Sequence, residues 1–215
     1  MVRSRTILLG IVMLSLLVAG AAGAASSIVL PKPGQIGLEL GGGYGMLFDA
    51  GELGSLYNQG PTFFVRARYR MRYERAIGLS FEGQQFDVRE EPPAFVVGAD
   101  STIAPTKLSL VLSGFEFYQM FGTRTKTVRM LMLGAGLAQA RAKLNSGDTQ
   151  LIDVEGEAPT GAGDGLYVSG GGGVERFFFR SWAWDLSTRY MAVFRNGKVN
   201  HDIQAALGVI IYASY

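Results

Sequence analysis

Four arginines stand at every second position of one otherwise apolar segment, Pro61–Tyr73: Arg66, Arg68, Arg70 and Arg72. Alternate positions share one face only in a β-strand, so the segment is predicted to be a long strand. Its two faces would be an apolar, aromatic one and a row of guanidinium groups. Such a row can attract anions into a pore, or it can pair with carboxylates and fill an enclosed space.

Carboxylates occupy the corresponding face of other predicted strands, opposite the apolar side chains. They are Glu39, Glu82, Glu116, Glu175 and Asp185, with a further arginine at Arg189. In a closed barrel these groups would meet in the interior, where they must pair because an unpaired buried charge is strongly unfavourable. We therefore predict one lumenal ion-pair network of these residues and the four arginines. A plug is favoured over an anion filter, since a barrel of eight strands has a narrow interior.

Residue types that could carry catalysis, a cofactor or a metal are sparse. The chain has no cysteine, and its one histidine, His201, begins the run His-Asp-Ile, which lacks the serine of a His-x-Ser acyl-transfer motif. The glycine runs at 41–43 and 170–173 precede neither a helix nor a Gly-Lys-Ser/Thr sequence. The acids of segment 148–164 lack EF-hand spacing. We expect no enzymatic activity, no cofactor and no metal ion.

The N-terminus has the pattern of an export signal. Arg3 and Arg5 precede the apolar run Ile7–Val18, and Ala22-Gly23-Ala24 fits a cleavage site. Residues 1–25 are therefore predicted to be a signal peptide, residues 26–34 a short extended lead-in, and residues 35–215 one barrel domain. Without the leader, basic and acidic residues are equal in number, which argues against a nucleic-acid partner.

Period-two alternation predicts eight strands along the mature chain. Their connections alternate between long and short up to the seventh strand, as in up-and-down barrels of the outer membrane. In the fourth strand the leucines and the phenylalanines fall out of phase, which predicts a bulge near Ser113-Gly114. The predicted strands are Gln35–Phe48, Pro61–Tyr73, Ala76–Val88, Thr106–Met120, Thr127–Leu144, Leu166–Phe179, Trp182–Phe194 and a last one that ends the chain.

The fold class follows from which face is apolar. A soluble lipocalin-like barrel also has eight strands, but it holds its bulky apolar side chains inside. Here charged and small residues share one face and large apolar residues the other, and strands of a dozen residues suffice to cross the hydrocarbon layer. The prediction is an all-β, eight-stranded, antiparallel up-and-down transmembrane β-barrel.

Two segments carry a resemblance to a known group. The run Gly-Gly-Gly-Gly-Val-Glu-Arg-Phe-Phe-Phe around Glu175 and the terminal run Ala-Ala-Leu-Gly-Val-Ile-Ile-Tyr-Ala-Ser-Tyr resemble the small outer-membrane barrels of the OmpA/OmpX-like and opacity-protein group. The resemblance implies location in outer-membrane lipid and a terminal assembly signal read by the barrel-assembly machinery. That group mostly ends in Phe or Trp, so the terminal Tyr is a mild departure. The signal would comprise Leu207, Val209, Ile211, Ala213 and Tyr215.

The expected function is therefore structural or surface-interacting, of an adhesion type, and it acts through the loops. The alternatives are a narrow channel for small solutes and a soluble periplasmic lipid-binding barrel. The wall would be committed to lipid and the lumen to ion pairs, which leaves the loops for a surface ligand. The predicted loops are Asp49–Gly60, Arg89–Pro105, Asn145–Gly165 and Arg195–Asn200, the third being the first choice because of its length.

Overall fold

Eight long strands close into one antiparallel barrel, as predicted. The structure is a computed structural model that describes residues 30–48, 52–88, 95–97, 101–103, 105–144, 163–195 and 197–213. Most strands pair with their neighbours along the chain, and the first long strand pairs with the last to close the wall. The predicted leader, residues 1–25, lies outside the described residues.

The strand bounds agree with the predicted ones to within three residues. Two short strands, β4 and β5, form a separate pair between β3 and β6, and one short helix, α1, follows β1. The elements are β1 (Ile36–Leu47), α1 (Glu52–Leu56), β2 (Gln59–Arg72), β3 (Arg75–Asp87), β4 (Phe95–Val97), β5 (Ser101–Ile103), β6 (Pro105–Phe121), β7 (Thr127–Leu144), β8 (Gly163–Phe179), β9 (Trp182–Arg195) and β10 (Lys198–Tyr212).

The two ends of the barrel differ in how the strands are joined. At one end, the turn end, residues 73–74, 122–126 and 180–181 make short turns between long strands. At the other, the loop end, β1 connects to β2 through α1, and β3 to β6 through the β4–β5 pair. The β9–β10 connection at this end is also short, so Arg195–Asn200, predicted to be a loop, is mostly strand.

The outer wall is apolar and the inner wall is not. Large apolar side chains that face outward are exposed, and several are more than half exposed, for example Phe63 at 71%, Phe115 at 73% and Leu133 at 65%. Burial alternates residue by residue along the strands, as in β2 and β3. An exposed apolar band of this extent is stable in lipid rather than in water.

The predicted bulge in β6 is wrong. The strand keeps one register through Ser113 and Gly114 against both β3 and β7. Leu108, Leu110 and Leu112 are instead buried on the same inner face as Glu116. The sequence misled because the lumen is apolar near the loop end, so hydrophobicity did not distinguish the inner face from the outer one there.

The lumen is filled in three layers. A charged layer occupies its middle, between two clusters of buried apolar side chains. The loop-end cluster contains Leu47, Leu53, Leu56, Tyr57, Phe86, Leu108, Leu110, Leu112, Ala138, Ala140, Tyr167, Met191 and Val193. The turn-end cluster contains Ala76, Tyr118, Met120, Val128, Met130, Met132, Phe177, Ala183, Ile210 and Tyr212.

Each apolar cluster is covered by a segment outside the barrel strands. Helix α1 inserts Leu53 and Leu56 into the loop-end cluster, and the backbone N–H of Leu53 donates to Asn200 Oδ1 at 2.8 Å. At the turn end, Leu30 of the lead-in packs on the other cluster, and Gly34 N–H donates to the carbonyl of Arg70 at 2.7 Å. Helix α1 and the lead-in thus contact the two apolar clusters from opposite ends of the barrel.

In the described segments, no helix has the length and apolar character needed to cross a membrane.

Candidate functional site: a buried ion-pair layer

Five strands besides β2 contribute charged side chains to the middle of the lumen. Each of these residues lies at an inward-facing position of the alternation and is at most 4% exposed. They are Arg66, Arg68 and Arg70 of β2, Glu39 of β1, Glu82 of β3, Glu116 of β6, Glu175 of β8, and Asp185 and Arg189 of β9. The predicted positions thus meet in one layer, apart from Arg72.

Arg68 is the centre of the half nearer the turn end. Its Nη2 lies 3.0 Å from Glu39 Oε2 and 3.2 Å from Asp185 Oδ2, and its Nη1 lies 3.2 Å from Glu175 Oε1. The guanidinium plane also sits 4.1 Å from the centroid of the Tyr118 ring. One fully buried cation thus pairs with carboxylates from three strands, which fixes the side chain far better than a single ion pair would.

Arg70 extends this half toward the turn end. Its Nη2 lies 2.7 Å from Glu175 Oε2 and donates to the Tyr212 hydroxyl at 3.1 Å. The same hydroxyl donates to Glu175 Oε1 at 2.7 Å. Tyr212 therefore joins an arginine and a carboxylate in one hydrogen-bonded triangle, in which both oxygens of Glu175 are used.

Arg189 is the centre of the half nearer the loop end. Its Nη1 lies 2.7 Å from Glu116 Oε1, and its Nη2 pairs with Glu82 Oε2. It also donates to Gln204 Oε1 at 2.8 Å, and Gln84 Nε2 donates to Glu82 Oε1 at 2.7 Å. Neutral amides therefore satisfy the lone pairs that the single arginine leaves free, as a buried carboxylate requires.

Arg66 lies between the two halves and belongs fully to neither. Its contacts to Glu39, Glu82 and Glu116 are 3.4, 3.8 and 3.9 Å long, and its Nε and Nη2 have no hydrogen-bond partner. The ring of Phe64 lies 3.8 Å below the guanidinium carbon. Arg66 thus supplies positive charge to both halves but few directed hydrogen bonds.

Glycines on the inner face make room for these side chains. A Cβ at Gly208 would lie 2.8 Å from Glu39 Oε1, and one at Gly171 would lie 2.9 Å from Arg189 Cγ. A larger residue at either position would displace a charged side chain from the layer. This accounts for part of the high glycine content, 30 of 215 residues.

The layer contains slightly more negative than positive groups. Among the described residues of the charged layer, four guanidinium groups face five carboxylates. At 0–1% exposure, Arg66, Arg68 and Arg70 are out of contact with water. A selectivity filter needs wetted charges that exchange with an ion's hydration shell. In this layer the arginines and carboxylates are instead buried and bound to one another.

Arg72 is a correction to the predicted network. It is exposed at the end of β2, where the register shifts between Arg70 and Arg72, and it pairs across the turn with Arg75. The register shift places Arg72 opposite Arg75, which is exposed and alternates with the buried Ala76, so the fourth arginine of the row leaves the inner face. None of the salt bridges of the charged layer includes it.

Sequence reasoning missed the uncharged members of the layer. Tyr118, Tyr212, Gln84, Gln204 and Thr62 all hydrogen-bond to its carboxylates or arginines or to one another. The signal was present in the alternation, because each of them lies on the inward face of its strand together with a charged residue. Tyr212 was missed because the apolar residues that mark the terminal strand in the sequence are the outward ones.

The residues of the predicted assembly signal face outward on β10. Leu207 and Ile211 are 36% and 39% exposed, Val209 is half-buried and Ala213 is exposed, whereas Tyr215 lies outside the described residues. His201 lies on the same outer face, 2.5 Å from the Tyr190 hydroxyl through Nδ1. Over the described residues, no three carboxylate, histidine or cysteine side chains are placed to hold a metal ion.

A closed antiparallel barrel with an apolar exterior and a charged, filled lumen defines the class of small transmembrane β-barrels. No family model matches the chain, and no curated protein matches it. The neisserial surface protein NspA shares the fold, with a TM-score of 0.55 and 12% identity over 82% of this chain and 96% of that one.

Two further solved structures are similar to this chain over most of its length. The N-terminal barrel domain of Pseudomonas aeruginosa OprF gives a TM-score of 0.49 at 12% identity, over 85% of this chain and all of that domain. Ail, the attachment invasion locus protein of Yersinia pestis, gives 0.47 at 11% identity, over 83% and 99%. The likeness to NspA confirms the predicted fold, that of the small eight-stranded outer-membrane barrels.

Proposed function

We propose that the chain is an exported, non-enzymatic outer-membrane protein with a sealed lumen, which meets other molecules at its loop end. The observation that carries this is the burial of the charged layer between two apolar clusters. A barrel that spends its lumen on ion pairs and its wall on lipid has only its ends left for partners. Residues 1–25 would serve as the cleaved signal peptide that directs the chain there.

Three features support a plug over a narrow channel. The arginines and carboxylates are bound to one another at 2.7–3.4 Å in the closest pairs, so moving an ion past them would break several salt bridges at once. Helix α1 closes the loop end, and Leu30 contacts the cluster at the turn end.

The soluble lipid-binding alternative is disfavoured by the exposed apolar wall, which would be unstable in water.

The loops divide into one that seals and others that are free to bind. Asp49–Gly60, predicted to be a surface loop, contributes Leu53 and Tyr57, each 0% exposed, to the loop-end cluster. Burial raises the pKa of the Tyr57 hydroxyl above its ordinary value. A surface ligand would therefore meet the connections 89–104, which hold the β4–β5 pair, and 145–162, whose structure is outside the described part.

Two partners follow from the class rather than from a specific contact. Outer-membrane lipid would surround the apolar wall, and the barrel-assembly machinery would read the last strand with Leu207, Val209, Ile211, Ala213 and Tyr215. Removing Tyr215 would then leave export intact and slow assembly, seen as a smaller heat-modifiable fraction in gels.

The plug is tested by conductance in planar lipid bilayers. We expect no stepwise current from the refolded protein, because no wetted path crosses the charged layer. A known porin added to the same membrane shows that the assay detects channels. Regular single-channel steps from the purified protein would overturn the plug and favour the narrow channel.

The loop assignment is tested by replacing residues 146–162 with a short Gly-Ser turn. The variant is expected to stay heat-modifiable and to lose surface binding, because the wall and the plug are untouched. The matched control replaces residues 89–94 in the same way. If binding survives the first change and is lost in the control, the binding surface is the β3–β6 connection instead.

A further inference from the structure

The turn end of the barrel has a strong excess of positive charge. In the described part of this end, Glu74 is the only exposed acid, whereas several basic residues are exposed. The excess is smaller at the loop end, where the described exposed residues include the acids Asp87 and Asp164 beside the bases Lys107, Arg141, Lys143 and Lys198. The basic residues of the turn end are Lys32, Arg72, Arg75, Arg124, Lys126, Arg129, Arg176 and Arg180.

Two of these residues lie on the wall itself rather than in the turns. Arg129 of β7 and Arg176 of β8 both face outward, and the register pairs Arg176 with Thr127 and Arg129 with Val174. The two guanidinium groups are therefore diagonal neighbours on adjacent strands. Neither makes an ion pair within the part of the chain that the structure describes. Like charges so placed repel one another unless an anion lies between them.

Aromatic side chains flank this pair of arginines. Phe121 stands opposite Arg129 on β6, and Trp184 stands opposite Arg176 on β9. The Trp184 ring stacks with Phe178, with centroids 5.4 Å apart and an interplanar angle of 27°. Exposed aromatic rings at the end of an apolar wall mark the level of lipid headgroups. The two arginines thus lie at the depth of the phosphates of a bilayer.

An apolar cleft continues from this site up the wall. It has a volume of about 260 Å³ and is lined by Phe117, Gln119, Leu131 and Leu133, with Leu131 one outward position beyond Arg129. On the adjoining strand β8 the outward positions Gly170 and Gly172 carry no side chain. A Cβ at Gly170 would meet only Leu133, at 3.6 Å. The mostly apolar lining suits a hydrocarbon chain.

We propose that Arg129 and Arg176 bind the phosphate of an anionic phospholipid, with one of its acyl chains in the cleft. The inference deepens the proposed membrane location and rests on it. Two guanidinium groups present parallel N–H donors to phosphate oxygens, and the anion relieves their mutual repulsion. A zwitterionic headgroup would bring its own ammonium against the basic rim, so a headgroup of net negative charge is preferred. The cleft favours a lipid over a soluble anion, which would leave it empty.

The test uses the full mature chain in nanodiscs of phosphatidylcholine that contain a minor fraction of phosphatidylglycerol. Lipids that stay bound after mild detergent release are identified by native mass spectrometry. We expect phosphatidylglycerol to be enriched on the wild type, and the Arg129→Gln/Arg176→Gln double variant to lose about fivefold of that enrichment for each charge removed. Gly170→Leu, which fills the cleft without changing charge, should weaken retention as well.

The matched control is Lys107→Gln/Arg141→Gln, which removes two exposed charges from the outer wall at the loop end. It should leave the enrichment unchanged, whereas an equal loss would show unspecific attraction and overturn the site. Absence of enrichment on the wild type would also overturn it, as would retention of soluble dextran sulfate through the same arginines without a lipid preference. Insertion into nanodiscs and heat-modifiability are scored separately, so failure of the membrane location is distinguished from failure of the lipid site.

Discussion

The arginines inside the barrel and those on its outer turn end differ in one respect, the presence of an acid. Arg68 has three carboxylates within 3.2 Å, whereas Arg176 has none among the described residues. Burial removes hydration, so an interior cation must find its counter-charges within the protein. At the surface, water or a lipid phosphate takes that role, and the protein need not supply an acid.

Strand β2 contains both situations two residues apart. Arg70 is fully buried and bound to Glu175 and Tyr212, while Arg72 is exposed beyond the turn-end cluster. The same type of side chain, two positions further along one strand, therefore belongs to the buried layer in one case and to the exposed rim in the other. The comparison teaches that the register shift at the end of β2, which a regular two-residue period does not reveal, determines what an arginine does here.

Truncating an interior arginine should have the largest effect. Arg68→Ala leaves Asp185 without an ion pair among the described residues, and Glu39 and Glu175 each lose one of two cations, so it should lower the free energy of unfolding by about 3–5 kcal/mol. The measurement is a denaturant titration of protein refolded in lipid vesicles, followed by fluorescence of Trp182 and Trp184. Arg72→Ala is the control on the same strand and should leave the midpoint unchanged. Equal midpoints for the two variants would break the distinction between interior and rim.

Arg189→Ala should have an intermediate effect. Glu82 and Glu116 lose their closest cation, but Arg66 remains within 3.8 and 3.9 Å of them and can move closer. We expect a loss of about 2–3 kcal/mol, below the range for an uncompensated buried charge. Adding Arg66→Ala should then cost more in the Arg189 variant than in the wild type, a coupling that a double-mutant cycle measures. Strict additivity would show that Arg66 does not compensate.

The smallest effect on stability is expected for a change on the outer wall of the barrel. Arg129→Gln removes an exposed charge with no acidic partner in the described residues, so the unfolding midpoint should not change in phosphatidylcholine vesicles. In vesicles that contain phosphatidylglycerol the midpoint of the wild type should rise above that of the variant, since a ligand that binds the folded state stabilises it. Identical midpoints in both vesicle types would place Arg129 among the merely solvated charges.

The strands, and the face of each strand that points inward, could be predicted from the sequence alone. Alternation in β2 and β8 put Arg68 and Glu175 on the inner side, because the two-residue period of a strand is a local steric property. The alternation failed at Leu108–Leu112, where both sides of the wall are apolar. It also carried no information on helix α1, whose Leu53 matters only once a lumen exists to receive it.

The ion-pair partners of each charged residue and its depth in the lumen depended on tertiary structure. Arg68 meets Glu175 and Asp185 across separations of 107 and 117 residues, and that meeting depends on how β1 closes against β10 and on how the strands are staggered. Arg70 and Arg72 are separated by the register shift between β2 and β3, and the buried inner face ends there at the apolar cluster of the turn end. Local alternation specifies the face of a side chain, but its height in the barrel and its neighbours across the lumen exist only after the wall has closed.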